Sequence, residues 1–276
     1  PNIRVARRAA LAIGNIGDTS VRPRLVAALE HETRDTVGDA IAFALGLLGK
    51  DRVTHNALVV ATIKHPTLER FKALARIEPD DNRYGSGTAK LVASLGDAGM
   101  VPLRTRAEAY MILGLRRADT GFIRMRDELE LLASDDDPEV RWRAAYVFGR
   151  AGDSSDLSSR HTRLHELLID QGSAACRMFA ALALGRMHDA WADTQLYRAY
   201  RAEQDWRVRV NLVRSIGEFP VLDSQLFITL VRATFAARKE DPTSVQVGLT
   251  AFTVLEKMIR NGSLREEFKP AVRRWL

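Results

Sequence analysis

Apolar residues return along the chain with the spacing of amphipathic helices, and one ten-residue pattern recurs at near-constant intervals. The clearest copy, Val140 to Gly149, places Val, Ala-Ala, Val-Phe and Gly at fixed points among basic and aromatic residues. Five further copies and two degenerate ones fit the same frame: Val5–Gly14, Val37–Gly46, Leu68–Ile77 (degenerate), Thr105–Gly114, Cys176–Gly185, Val208–Gly217 and Val247–Glu256 (degenerate). The tenth residues of successive copies lie 31 to 39 residues apart. A period of this size indicates an array of helical repeats.

Each copy is predicted to form the second helix of a helix pair. The small residues in its middle let another helix approach, the closing Gly is typical of a helix C-terminus, and a following Asp can cap the next helix. The predicted first helices are Val21–Glu30, Val53–Ile63, Thr88–Leu95, Phe122–Ala133, His161–Asp170, Ala192–Glu203 and Leu222–Arg238, with Leu264–Leu276 as the last. Residues 78–88 are predicted to be a loop between repeats. The sequence therefore predicts one all-α solenoid of about eight helix pairs over residues 1–276.

The recurring phrases resemble those of the HEAT-repeat family, in its short bacterial, phycobilisome-lyase-type form. Val140-Arg141, Ala144-Ala145 and Gly149 carry the resemblance, together with Gly152-Asp153. The resemblance implies a right-handed α-α superhelix whose second helices line a concave surface. It also implies a ladder between successive repeats, in which Arg106, Arg141, Arg177 and Arg209 pair with Asp18, Asp153 and Asp189.

Both ends of the chain are predicted to expose apolar stacking faces. The chain opens with a second helix and closes with a first helix, whereas solenoids usually end in polar caps. We therefore expect the sequence to be a fragment of a longer chain with flanking repeats or domains.

A stripe of apolar residues is predicted along the second helices. We number each copy from its first residue as position 0, and each residue turns the helix by about 100°. Positions 0, 4, 5, 7, 8 and 11 then lie on one side of the helix, which we call the core arc. Position 6 lies on the opposite side. Position 6 holds Leu11, Phe43, Leu74, Met111, Tyr146 and Leu182, then Arg214 and Thr253. Positions 2 and 3 include Arg70, Phe71, Trp142, Arg143, Met178 and Phe179.

These residue types are enriched at protein interfaces, and the resemblance places the stripe in the concave groove. The candidate partner-binding residues are Phe43, Leu74, Met111, Trp142, Arg143, Tyr146, Phe179 and Leu182. The alternative interpretation is that tight curvature buries position 6 between neighbouring repeats, so that these residues serve packing.

Composition narrows the function further. The net charge is +6, but 20 Lys and Arg accompany 19 Asp and Glu in residues 1–138, and 21 accompany 16 in residues 139–276. Without a basic cluster, the chain lacks the electrostatic footprint of a nucleic-acid binder. Its apolar runs are far shorter than a membrane span, so no membrane insertion is expected.

The search for chemistry yields weak candidates. His161 and His165 share one helix face and could hold a metal, but His-Thr-Arg-Leu-His lacks the Glu of a zinc-protease motif. The aromatic residues Trp191, Tyr197, Tyr200 and Trp206 could form a stacking platform, although helix packing is the simpler role. The single Cys176 is predicted to be a small buried residue. We therefore expect no enzyme activity, cofactor or metal site.

Three functions remain open. The leading hypothesis is a scaffold whose apolar, Arg-rimmed groove binds a protein or peptide with apolar anchors and acidic flanks. The second is a repeat domain accessory to a catalytic domain outside this sequence, since the family includes repeats attached to lyases and prolyl isomerases. The third is a DNA-binding solenoid, which would need basic residues clustered on the concave face and is disfavoured by the apolar stripe.

Overall fold

The computed structural model describes residues 2–77, 101–114, 129–150, 157–236 and 241–270. Within these ranges the chain is helical and has no β-strand. It divides into two compact units, Pro1–Leu132 and Ala133–Leu276. The predicted all-α repeat fold is confirmed, because helix pairs follow one another in linear order in each unit.

The first unit stacks its second helices in chain order. Its helices are α1 (Ile3–Ile16), α2 (Arg22–His31), α3 (Asp35–Leu47), α4 (Arg52–Lys64), α5 (Leu68–Ile77) and α6 (Leu103–Gly114). Helix α1 packs against α3, α3 against α5, and α5 against α6, while α2 and α4 are first helices that pack against α3 and α5 respectively. Every second helix predicted in this unit is therefore present.

The second unit repeats this arrangement. Its helices are α7 (Pro138–Arg150), α8 (Leu157–Leu168), α9 (Ala174–Gly185), α10 (Ala190–Ala202), α11 (Trp206–Ile216), α12 (Ser224–Phe235) and α13 (Pro242–Arg260). The second helices α7, α9, α11 and α13 pack one on the next, and α8, α10 and α12 are the first helices of their pairs.

Some predictions fall wholly or partly on residues outside the described ranges. These are the helix Thr88–Leu95, the loop 78–88, residues 122–128 of the helix Phe122–Ala133, residues 237–238 and residues 271–276. The described part of the predicted helix Leu264–Leu276 begins with a 3-10 turn, Glu266–Phe268, and residues 269–270 are helical.

The core arc predicted from the helical period is confirmed in α7 and α9. In α7 the buried side chains are Val140, Ala144, Ala145, Val147 and Phe148, at positions 0, 4, 5, 7 and 8. The equivalent residues of α9 are buried as well, and the thiol of Cys176 is one of them. Burial of the small residues on both helices explains how successive pairs bury apolar surface without a single central core.

Aspartates after the second helices cap the next elements, as predicted. The carboxylate of Asp189 accepts a hydrogen bond from the backbone N–H of Ala192 at 2.7 Å at the start of α10. Asp18 does the same for the N–H of Ser20 at 2.9 Å. Each cap satisfies a donor that the first turn leaves without an intrahelical partner.

The tenth-position glycines lie at the helix ends, as predicted, in α6 and α9, which end at Gly114 and Gly185, and in α11, which has Gly217 as its C-cap. The helices α1 and α7 instead continue past Gly14 and Gly149. A Cβ atom on Gly149 would lie 2.8 Å from the Cα of Ala183, and one on Gly14 would lie 2.7 Å from the Cα of Ala44. These glycines therefore permit close contact between successive second helices. Left-handed backbone after the helices occurs instead at Gly17 and Gly49, with φ of 77° and 90°.

Candidate partner-binding surface

The second unit presents three aromatic side chains together, and we call Trp142, Tyr146 and Phe179 the aromatic cluster. The Trp142 and Phe179 rings stack with centroids 4.9 Å apart and planes at 21°. Tyr146 meets Phe179 edge to face, with centroids 5.4 Å apart and planes at 81°. All three side chains are half-buried, so the cluster is both packed and accessible to solvent.

Local sequence explains how the cluster forms. Trp142 and Tyr146 are four residues apart on α7 and therefore share a face. Phe179 reaches them from α9, which lies close to α7 because Gly149 has no side chain to keep Ala183 away. The same small residues that build the stack thus bring the rings of two repeats into contact.

Glu139 fixes the polar groups beside the cluster. Its carboxylate accepts hydrogen bonds from Nη1 of Arg143 at 2.8 Å and from the indole Nε1 of Trp142 at 3.1 Å. The guanidinium of Arg143 also lies over the Trp142 ring, with Cζ 4.4 Å from the centroid. The rotamers of both side chains are therefore set before any partner arrives. Glu139 was not among the predicted residues, although its place four residues before Arg143 is the spacing of a helical ion pair.

Apolar surface continues from the cluster towards exposed cations. Leu182, one turn after Phe179 on α9, is half-buried, and so is Met178. Arg214 is exposed at the equivalent position of α11. Arg186 is also exposed, and its Nη1 donates to the carbonyl of Gly149 at 3.0 Å.

The first unit carries a smaller apolar surface of the same kind. Leu11, Phe43 and Met111 are half-buried on α1, α3 and α6. The guanidinium of Arg76 lies over the Phe43 ring, with Cζ 4.7 Å from the centroid. Cation–π contact of this kind holds an exposed ring in place.

Leu74 belongs to the core of the first unit, where only 2% of it is exposed. The register of the degenerate copy is the reason. Gly46 faces Ala73, as Gly14 faces Ala44, so Ala73 occupies position 7 and the copy starts two residues earlier than the sequence suggested. In this frame Leu74 falls at core position 8. Arg70 and Phe71, which sequence analysis placed beside the groove, fall at core positions 4 and 5 and are buried.

A ladder of ion pairs joins successive repeats of the second unit. Arg141 on α7 pairs with Asp170, after α8, at 2.8 Å. Arg177 on α9 pairs with Glu203, after α10, at 2.7 Å. Each arginine thus reaches the turn that precedes the next second helix.

The acidic partners of this ladder differ from those that the resemblance implied. Asp18 and Asp189 are helix caps, and Asp189 also lies 3.0 Å from Nε2 of His161. Asp153 lies outside the described residues. Arg209 lies over the Tyr200 ring, with Cζ 5.1 Å from its centroid. The prediction of pairs with these aspartates is therefore wrong where it can be examined, because the turn aspartates serve as caps.

The histidines serve packing. His161 stacks on Trp191 with centroids 4.1 Å apart, and His165 meets the same ring edge to face at 6.4 Å. In the described ranges no group of three His, Cys, Asp or Glu side chains could hold a metal ion. Nor does any described helix combine the length and apolarity that a membrane crossing requires.

Two family models match parts of the chain. Residues 128–217 match the family of HEAT repeats, and residues 5–31 match the PBS lyase HEAT-like repeat. No curated protein matches the chain. Among solved structures, a designed armadillo repeat protein in complex with the peptide (KR)4 is similar, at 15% sequence identity and a TM-score of 0.46. The match covers 83% of this chain and 98% of the designed protein.

Proposed function

Because the chain carries HEAT repeats, we propose that it is a non-catalytic scaffold that binds a protein or peptide through the accessible side of its second helices. In the second unit the binding surface consists of the aromatic cluster, Arg143 and Leu182. In the first unit it consists of Phe43 and Met111. The aromatic cluster is the observation that carries the proposal.

The cluster has the properties of a binding hot spot. Trp, Tyr and Arg side chains dominate the energy of protein interfaces when they are held at the centre of a contact. Here stacking and the Glu139 carboxylate already fix the rings and the guanidinium, so little side-chain entropy remains to be lost on binding. A half-buried aromatic surface gains the rest of its burial energy when a partner covers it.

The charges around the cluster support a partner with acidic flanks. Arg186 is exposed directly after the end of α9, and Arg214 is exposed on α11 at the position that Leu182 has on α9. A short segment with one or two large apolar anchors and a neighbouring Asp or Glu would fill the apolar part and meet these guanidinium groups.

Selection and titration of peptides test the proposal. Peptides selected from a random library against the intact chain are expected to combine apolar anchors with acidic residues. Fluorescence titration should then show that Trp142→Ala or Phe179→Ala weakens the selected peptides about tenfold or more, the loss typical of a hot-spot truncation. The double variant Tyr146→Asp, Leu182→Asp should abolish binding.

The matched control is Ile228→Asp on the first helix α12, where the apolar side chain is 45% exposed and is not part of the proposed surface. This variant should bind as the unmodified chain does. Circular dichroism and the melting temperature accompany each titration. If the double variant loses its helical content, Tyr146 and Leu182 are core residues and the surface assignment fails. Unchanged binding by the folded double variant would equally refute it.

A further inference from the structure

A buried amide occupies the place on α11 where α7 and α9 contribute to the proposed surface. Asn211 is at position 3 of α11, the position that Arg143 has on α7 and Phe179 has on α9. Those two side chains are half-buried, whereas Asn211 is only 8% exposed. An amide that is buried to this extent needs hydrogen-bond partners for its nitrogen and for its oxygen.

In the part of the chain that the structure describes, only the nitrogen of this amide has a partner. Nδ2 of Asn211 donates to the backbone carbonyl of Arg207 at 2.8 Å, and because a carbonyl can only accept, this bond fixes which end of the amide is the nitrogen. Oδ1 accepts no hydrogen bond from the described residues, and it is not one of the fully buried polar atoms that lack a partner, so solvent still reaches it. Asn211 therefore presents a fixed acceptor that a ligand can approach.

An exposed cation follows one turn later on the same helix. Arg214 comes three residues after Asn211, which places the two side chains on one face of α11. Glu218, four residues further on, lies 3.8 Å from the ammonium of Lys257. Among the described residues Arg214 has no ion-pair partner, so its guanidinium is free to meet a carboxylate from another molecule.

An acceptor beside a cation selects the conformation of a peptide as well as its charge. The donor that every peptide carries is its backbone N–H. In the interior of a helix the N–H groups already donate to carbonyls four residues earlier, so they are not available to Oδ1 of Asn211. An extended segment leaves its N–H groups free and can place an acidic side chain beside them.

We propose that Asn211 is a specificity-determining residue, whose Oδ1 accepts a backbone N–H of an extended peptide. An Asp or Glu side chain of the same peptide pairs with Arg214, and its apolar anchor lies on Phe179 and Leu182. This inference rests on the proposed function and adds to it the conformation of the partner and the place of its acidic residue.

The spacing of the helices sets the spacing within the peptide. Packed helices such as α9 and α11 lie about 8–10 Å apart, and an extended chain advances about 3.3 Å per residue. The acidic residue should therefore lie about three residues from the anchor, whereas a helical partner, with a rise of about 1.5 Å per residue, would need about six.

Replacement of single peptide amides by esters tests the hydrogen bond. The probe is the tightest peptide that a random library yields against the intact chain, and each of its backbone amides in turn becomes an ester, which removes the N–H without adding bulk. Titration of the unmodified chain should show an ester position next to the acidic residue that weakens binding about fivefold, the loss expected for one neutral hydrogen bond. This measurement needs no variant of the chain to fold.

The variant Asn211→Leu assigns that loss to its acceptor. It should bind the all-amide peptide about fivefold more weakly than the unmodified chain does, and it should bind the sensitive ester equally well, because the N–H then has no acceptor to lose. Ser215→Ala is the matched control, since Ser215 is a buried polar residue of the same helix whose hydroxyl donates to the carbonyl of Asn211 at 2.8 Å. This control should keep the full ester effect.

The possible failures are distinguishable. If no library peptide binds, or if binding survives Tyr146→Asp with Leu182→Asp in the folded chain, the proposed function fails and this inference fails with it. If peptides bind through the aromatic cluster but every ester binds normally, or if Asn211→Leu keeps the ester effect, the inference alone is refuted. A bound peptide that becomes helical, with its acidic residue about six residues from the anchor, would also refute it.

Discussion

The guanidinium of Arg141 lies 2.8 Å from the carboxylate of Asp170, on a different repeat of the second unit. Arg141 also donates Nη1 to the backbone carbonyls of Asp135 and Asp136, both at 2.8 Å. Burial raises the pKa of Asp170, but hydrogen bonds from Arg141 and from the N–H of Gly172 outweigh it and hold the pKa below its ordinary value. One side chain therefore ties the turn before α7 to the turn before α9.

We predict that Arg141→Ala lowers the free energy of unfolding by roughly 2–3 kcal/mol, because it leaves the half-buried Asp170 without its cation and two carbonyls without a donor. Urea unfolding followed by circular dichroism measures the loss. Because Asp170 has a depressed pKa in the folded chain, the ion pair stabilises the fold above the unfolded pKa. The difference in free energy of unfolding between the unmodified chain and Arg141→Ala should therefore shrink as the pH falls below about 4.

The exposed pair of Arg163 and Glu166, one turn apart on α8, is the control for this prediction. Arg163→Ala should change the free energy of unfolding by less than about 0.5 kcal/mol, because exposed pairs contribute little. Equal losses for Arg163→Ala and Arg141→Ala would show that the ladder has no special role in joining repeats.

A second prediction concerns Gly149. Because an added Cβ would lie 2.8 Å from the backbone of Ala183, Gly149→Ala must push α7 and α9 apart, at a cost of roughly 1–3 kcal/mol. The same movement should separate the rings of Trp142 and Phe179, which changes the tryptophan fluorescence. Urea unfolding and the emission spectrum measure the two effects.

Gly17→Ala separates packing from backbone strain. Gly17 has a φ of 77° but nothing within 4 Å of its added Cβ, so this change should cost about 1 kcal/mol without altering the fluorescence. If Gly149→Ala leaves the emission spectrum unchanged, the close contact does not position the aromatic cluster.

The repeat period predicted the fold and most of the second helices, because seven of the eight copies hold an Ala at position 4 or 5 and five hold Val at position 0. The role of the tenth-position glycine could not be predicted in the same way. In the sequence, a glycine that ends a helix cannot be told from a glycine that lets two helices come close. The structure distinguishes the two roles, because Gly149 lies against Ala183 and Gly14 lies against Ala44.

The candidate surface was harder to predict where the pattern decays. The copy around Leu74 lacks a terminal Gly, and a frame two residues too late moves Leu74 from the core to the surface stripe. The partners of Arg141 and Arg177 were also missed, since Asp170 and Glu203 lie more than twenty residues away and differ from each other in residue type.

A third prediction concerns Arg70, a cation that is only 1% exposed in the first unit. Its Nη1 donates to the carbonyls of Ala61 and His65, both at 3.0 Å, and its Nε lies 3.2 Å from Oδ1 of Asp39. Arg70→Met should lower the free energy of unfolding by roughly 3–5 kcal/mol, the cost of breaking a buried ion pair. Urea unfolding of this variant measures the loss.

A double-mutant cycle with Asp39→Asn identifies the source of that loss. Burial raises the pKa of Asp39 above its ordinary value even though Thr67 and Arg70 oppose it, so an unpaired charge at this site is costly. Asp39→Asn should therefore be less harmful in the Arg70→Met chain than in the unmodified chain. Additive effects would show that the pair with Asp39 does not contribute, which leaves the two carbonyls and Asp35, 3.4 Å from Nη2 of Arg70, as the source of the loss.

Two carboxylates at helix starts in the second unit repel each other. Asp193 lies in the first turn of α10, and Asp223 caps α12 by accepting from the N–H of Leu226 at 2.7 Å. Burial, followed by the charge of Asp223, raises the pKa of Asp193 to about 6. Between the ordinary pKa of an aspartate and a pH of about 6, the folded chain therefore keeps a proton on Asp193 that the unfolded chain has already released.

The fourth prediction follows from the sign of this shift. Stability should fall as the pH rises from about 4 to about 6, and the penalty should stay constant above that range. Asp193→Asn removes the penalty, so it should stabilise the chain by on the order of 1–3 kcal/mol at neutral pH and by nearly nothing at pH ~4. Urea unfolding at both pH values measures the difference.

Asp205→Asn is the opposite control, because the hydrogen bond from Arg207 lowers the pKa of Asp205 to about 2. Loss of this carboxylate should destabilise the chain at neutral pH. A gain from Asp193→Asn that did not change with pH would mean that the cost of ionising Asp193 in the folded chain is not its cause.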